Sequence, residues 1–162
     1  MKSLISIFLL ILISSLFNNE RISEYEKALN VILDSEEYTS ITKNKKQFHV
    51  SSEVVVFEKM GKFFIEELQN NSIYLSAENI ILGEKKENFN NEGLEKLNCK
   101  KRGKVQAYFS EIKNDVFFAE IVESKKKSSY EKKIGFGTTS IFMFKISNNE
   151  LELISVKKLI YG

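Results

Sequence analysis

The chain has 162 residues, with 24 Lys plus Arg, 22 Asp plus Glu, one His, one Cys, no Pro and no Trp. One His and one Cys are too few for a zinc site of the usual nitrogen and sulfur type, a paired-cysteine redox motif or a disulfide framework. A net charge of +2, with Arg21 and Arg102 the only arginines, lacks the strong clustered basicity of a nucleic-acid binder.

Met1-Lys2-Ser3 precedes an apolar run at residues 4–17, LISIFLLILISSLF. A basic start and a run shorter than the ~20 residues of a membrane-spanning helix predict a signal peptide at 1–18, with a membrane anchor at 4–17 as the alternative. The cleavage region lacks A-x-A, and no Cys follows that would mark a lipoprotein. Export leaves a single domain at 19–162 with a net charge of +1, since only Lys2 is lost from the charged residues. The predicted location is secreted or periplasmic, with membrane contact only through the signal segment.

Ile22, Tyr25, Leu29, Ile32 and Leu33 form one apolar stripe, which predicts a helix from Asn19 to Tyr38 with Ser23 and Glu26 at capping-box spacing. Glu36 and Glu37 then fall near its C-terminal end, where the helix dipole disfavours anions. Phe48 to Phe57 reads as a strand, with Phe48, Val50, Val54 and Val56 on one face. Met60, Phe64 and Leu68 are spaced for a helix that Gly61 weakens. Ser76 is placed to cap a short helix through Ile80, Ile81 and Leu82, and Asn88 to Asn98 reads as a loop or one thin helix.

The last sixty residues alternate most clearly. Val105, Ala107 and Phe109 begin a strand that turns at Lys113-Asn114-Asp115 and returns from Val116 to Val122. Ser140 to Ile146 turns at Asn148-Asn149 and returns from Leu151 to Ile160. Asn and Asp tolerate the positive φ of tight hairpin turns, so two consecutive hairpins and a four-stranded C-terminal meander are predicted.

ISEYEKALNVIL at 22–33 followed by GFGTTSIFMFKISNNELELISVKKLIYG at 135–162 resembles small secreted bacterial proteins of unknown role with an NTF2-like (cystatin-like) fold. The resemblance implies an α+β architecture, an N-terminal helix packed on a curved antiparallel sheet, with a conical pocket between them. That fold hosts isomerases, dehydratases, transport factors, immunity proteins and binding modules, so it does not decide function. No polyketide-cyclase or steroid-isomerase acid–base set is carried over.

His49 is the only side chain with an unperturbed pKa near neutrality, and with Glu53 it is a candidate base if their face lines a pocket; Tyr108 is the third catalytic candidate. Tyr108, Phe109, Phe117, Phe118, Phe142 and Phe144 form an aromatic set on strands that carry apolar residues at both parities. Such strands are covered on both faces or line a cavity, and the cavity version makes Tyr108, Phe117, Phe118, Phe142 and Phe144 a site for a small apolar ligand. Gly135-Phe136-Gly137 precedes a strand rather than a helix, which argues against a phosphate loop. Cys99 beside Lys100, Lys101 and Arg102 reads as half-buried. The basic runs at 43–46, 100–104 and 125–127 read as a solvated mixed surface, and Asn70-Asn71-Ser72 fits a glycosylation sequon. No metal and no cofactor are expected. The composition favours a non-enzymatic module that binds a protein or a small apolar ligand; an acid–base enzyme using His49 and an immunity-type protein that binds a toxin are the alternatives.

Overall fold

The computed structural model describes residues 22–42, 48–97, 105–123, 128–132 and 137–161. The signal segment, Cys99, the three basic runs and Gly135-Phe136 lie outside the described residues. The chain forms an α+β architecture in which helices precede and cover a six-stranded, mostly antiparallel open sheet. No helix among the described residues is long and apolar enough to cross a membrane.

Helix α1 covers residues 22–33 and α2 covers Glu36–Thr42, so the single helix expected through Tyr38 is broken. Ser35 makes the break. Its hydroxyl donates back to the Ile32 carbonyl (2.7 Å) and accepts from the Tyr38 amide (3.2 Å), capping α2. Glu36 and Glu37 therefore sit in the first turn of α2, where the helix dipole favours them, rather than at the end of α1.

Strand β1 is Phe48–Val55, followed by α3 (Phe57–Gly61), α4 (Ile65–Asn70) and α5 (Ala77–Lys85). Met60, Phe64 and Leu68 keep one fully buried stripe although the helix divides between them. Val56 starts α3 and does not extend the strand face of Phe48, Val50 and Val54. Ser76 caps α5 in a capping box with Asn79. The segment from Asn88 to Asn98 contains the short strand β2 (Phe89–Asn90) and a 3-10 turn at Glu92–Leu97.

The meander is β3 (Val105–Ser110), β4 (Val116–Glu123), β5 (Gly137–Ser147) and β6 (Glu150–Tyr161). Asn114 and Asp115 have φ of 48° and 60°, and Asn148 and Asn149 have φ of 52° and 64°. Both hairpins thus use the left-handed two-residue turns that suit the right-handed twist of paired strands. The sheet order is β2-β1-β3-β4-β5-β6. The sheet is mixed, because β1 and β3 run parallel, with Phe48 opposite Val105 and an irregularity between Val50 and Val54. A parallel neighbour requires a crossover, and α3, α4 and α5 lie within it.

Strand alternation sorts the core into two layers. Tyr25, Leu29 and Ile32 of α1 pack on Phe109, Phe117, Ala119, Phe142 and Phe144. Phe57, Met60, Phe64 and Leu68 pack on Tyr108, Val116, Phe118, Ile141 and Met143 on the opposite face. Helix α5 crosses α3 closely at Gly83, where an added Cβ would overlap the Cβ of Glu58.

Candidate functional site

The sequence candidates His49 and Glu53 meet at an open depression of about 250 Å³ at one end of the sheet. It is lined by His49, Ser51, Ser52 and Glu53 of β1, Asn90 of β2, Glu95, Gln106 of β3, and Ser128 with Ser129. The irregularity in β1 builds this wall. Ser51 Oγ accepts from the Glu53 amide (3.1 Å), and the Ser52 carbonyl accepts from the Asn91 amide (2.7 Å). A second depression, about 490 Å³, is lined by Ser52, Asn90, Glu92, Glu95 and Lys96.

Glu53 is committed to holding the fold. One carboxylate oxygen accepts from Asn88 Nδ2 (2.7 Å) and the other from the Tyr130 backbone amide (2.7 Å). Asn88 in turn accepts from the Val56 amide (3.0 Å) at the start of α3. A carboxylate with both oxygens already accepting gains little as a base, because proton abstraction would displace a buried donor.

Tyr108 lies beneath the depression and does not line it; its side chain is fully buried. Its hydroxyl reaches the Ser128 carbonyl and hydroxyl at 3.0 Å each, and its ring meets Tyr130 edge-on at 5.3 Å. Burial pushes the phenol up to about 12; the Glu53 and Glu120 charges add to this and the Ser128 hydrogen bond opposes it. A phenol moved away from neutrality is poorly matched to acid–base work at physiological pH. His49, Glu53 and Tyr108 therefore do not converge on a closed cavity.

The structure adds polar residues that the sequence reading did not single out. Gln106 grips Ser128 at both ends of its amide: Nε2 donates to the carbonyl (2.8 Å) and Oε1 accepts from the backbone amide (3.1 Å). The fully buried Glu120 lies 2.9 Å from Thr139 Oγ1. Lys59, also buried, pairs with Glu131. Gln106 and Lys59 thereby fasten residues 128–132 to β3 and α3, while Glu120 ties β4 to Thr139 of β5. One signal was readable: Glu120 shares a parity with Val116, Phe118 and Val122 in an otherwise apolar row.

The proposed ligand-binding aromatics are parts of the core. Phe117, Phe142 and Phe144 lie under α1, while Phe118 and Tyr108 lie on the opposite face, and all five have no exposed surface. Phe117 and Phe144 stack at 5.4 Å, and Phe118 stacks with Phe64 at 5.3 Å. Among the described residues no cluster of His, Cys, Asp and Glu could hold a metal ion. Comparison with protein-family models, curated proteins and solved structures finds no match.

Proposed function

We propose that the protein is a secreted or periplasmic, non-enzymatic binding module of NTF2-like (cystatin-like) architecture, and that its ligand is another protein. The observation that carries this reading is the filling of both sheet faces by the chain's own side chains. In an NTF2-like module the ligand chamber lies between the leading helix and the sheet. Here Tyr25 stands in that space, 4.9 Å from the Phe109 ring and 5.3 Å from Phe117, with its hydroxyl donating to the Ser110 carbonyl (2.8 Å). The order of elements, two leading helices, a strand, a helical crossover, a short edge strand and a meander, supports the architecture. The apolar run after Lys2 supports export.

A protein partner suits the apolar groups left outside. Tyr74 is 77% exposed, and Ile81 and Leu82 on α5 are 57% and 50% exposed. Exposed apolar groups gathered on one element are more informative than scattered ones. An acid–base enzyme is the weaker reading because Glu53 and Tyr108 are held in structural hydrogen bonds.

The test pairs a melting-temperature screen against fatty acids and sterols with photo-crosslinking from position 82 in the exported fraction of the native source. The expected result is flat melting curves and one macromolecular crosslink, lost on Ile81→Asp with the melting temperature retained. A lipid that raises the melting temperature with its concentration would overturn the protein-ligand form. Turnover abolished by His49→Ala would overturn the non-enzymatic form. N-terminal sequencing of the mature chain tests export, and an intact Met1 in the cytosolic fraction excludes it.

A further inference from the structure

We infer that the outer edge of β6 is a homodimer interface, at which two copies join their sheets by antiparallel pairing of β6 with β6. This does not rest on the functional reading above. Strand β6 is 12 residues long, and among the described residues it pairs only with β5. A long unpaired edge presents a row of backbone donors and acceptors that templates another strand. The opposite edge, β2, has only two residues. Pairing of β6 with β6 uses the same edge of both copies and so closes at two.

The occupant is argued from self-complementarity. Two copies related by a two-fold axis normal to the sheet pair antiparallel, and opposed side chains must share a face. In a regular strand, Glu152 and Lys157 would lie on opposite faces, because they are five residues apart. The bulge at Ile154 changes this: Ser155 pairs with Met143, and Leu153 already pairs with Phe144. Glu152 thus stands opposite Lys145 and Lys157 opposite Ile141, both odd positions of β5 and hence one face. Leu153 and Val156 likewise share the other face, opposite Phe144 and Phe142.

With the axis between Ile154 and Ser155, the strand matches itself. Glu152 of each copy meets Lys157 of the other, and Leu153 meets Val156. Leu153 is 39% exposed, so this contact covers apolar surface that the single chain leaves open. Glu152 has no ion-pair partner among the described residues. Lys157 is bonded to Glu67 (2.8 Å), and its ammonium retains donors for a second carboxylate. The acidic start and basic end of β6 disfavour parallel pairing, which would set like charges side by side.

Sedimentation equilibrium of the purified protein tests the interface. The expected result is twice the monomer mass as concentration rises, falling with added salt as the charge pairs are screened. Glu152→Lys alone and Lys157→Glu alone are each expected to sediment as monomers, since each sets two like-charge pairs across the axis. An equimolar mixture of the two is expected to regain the doubled mass, because both cross-pairs are then Lys opposite Glu. Hydrogen exchange of the native chain provides a check without variants: β6 amides should gain protection with concentration. A native chain that stays monomeric, single variants that remain dimeric, a mixture of monomeric variants that stays monomeric, or exchange in β6 that ignores concentration would each overturn the proposal.

Discussion

The two faces of the sheet bury similar rings but are finished differently. Under α1 the layer is dominated by aromatic and aliphatic groups, with Phe117 at the centre of contacts to Tyr25, Phe109 and Phe144. Under α3, α4 and α5 an apolar centre gives way to a buried polar margin containing Gln106, Tyr108 and Glu120. The first face needs only shape and area, which are non-directional. The second fastens residues 128–132 through directional bonds. The polar margin thus holds a connection that has little apolar surface of its own.

The largest expected effect breaks the apolar side of that comparison. Phe117→Ala should cost about 3–5 kcal/mol, as truncation of a fully buried Phe does. Urea denaturation measures it, and a loss below about 1 kcal/mol would show that α1 settles into the void.

Tyr108→Phe addresses the polar margin. A phenol raised in the folded state to about 12, against about 10 unfolded, contributes roughly 2–3 kcal/mol. That contribution is fully present below pH ~10 and is lost as pH rises toward the folded value. Stability-versus-pH curves should therefore flatten in this alkaline window for the variant. An alkaline limb from Lys113 should persist. Burial lowers its pKa, but hydrogen bonding to Glu58 and the Glu111 charge outweigh this and raise it.

Glu53→Gln should cost about 1–2 kcal/mol, because an amide nitrogen replaces an oxygen that accepts a buried donor. Hydrogen exchange should accelerate at Tyr130 and leave α1 unchanged. Equal acceleration in both places would mean that the two faces unfold as one unit.

The smallest effect concerns Glu67, which ties α4 to Lys157 of β6. Burial raises its carboxyl pKa, but the Lys157 hydrogen bond and charge prevail and lower it. Its contribution is present above the unfolded carboxyl value and is lost as pH falls through the folded one. Because both groups are partly exposed, Glu67→Gln should cost less than about 1 kcal/mol at neutral pH and soften the acid limb.

Much of the meander was legible because its signals are local. The parity of Phe117 against Phe118 separates the two layers, and Asn114-Asp115 and Asn148-Asn149 mark both hairpin turns. Ser76 announces α5. The break at Ser35 was missed because the apolar stripe continues through it, and only the cap bonds reveal the second helix. Of the candidate site, the shared face of His49 and Glu53 was legible. Their environment was not, since Asn88 and Tyr130 reach Glu53 across 35 and 77 residues.

The sequence by itself determined the α+β composition, the positions of the two hairpin turns and the apolar character of both faces of the C-terminal strands. Each follows from side-chain periodicity or turn stereochemistry within a few residues. Only the tertiary structure decided that β1 lies parallel to β3, that Asn88 and Glu111 cap α3 from a distance, and that the aromatic set fills the core. Those outcomes depend on which distant partners meet. A short polar side chain such as Asn88 carries no periodic trace of the backbone amide it will satisfy.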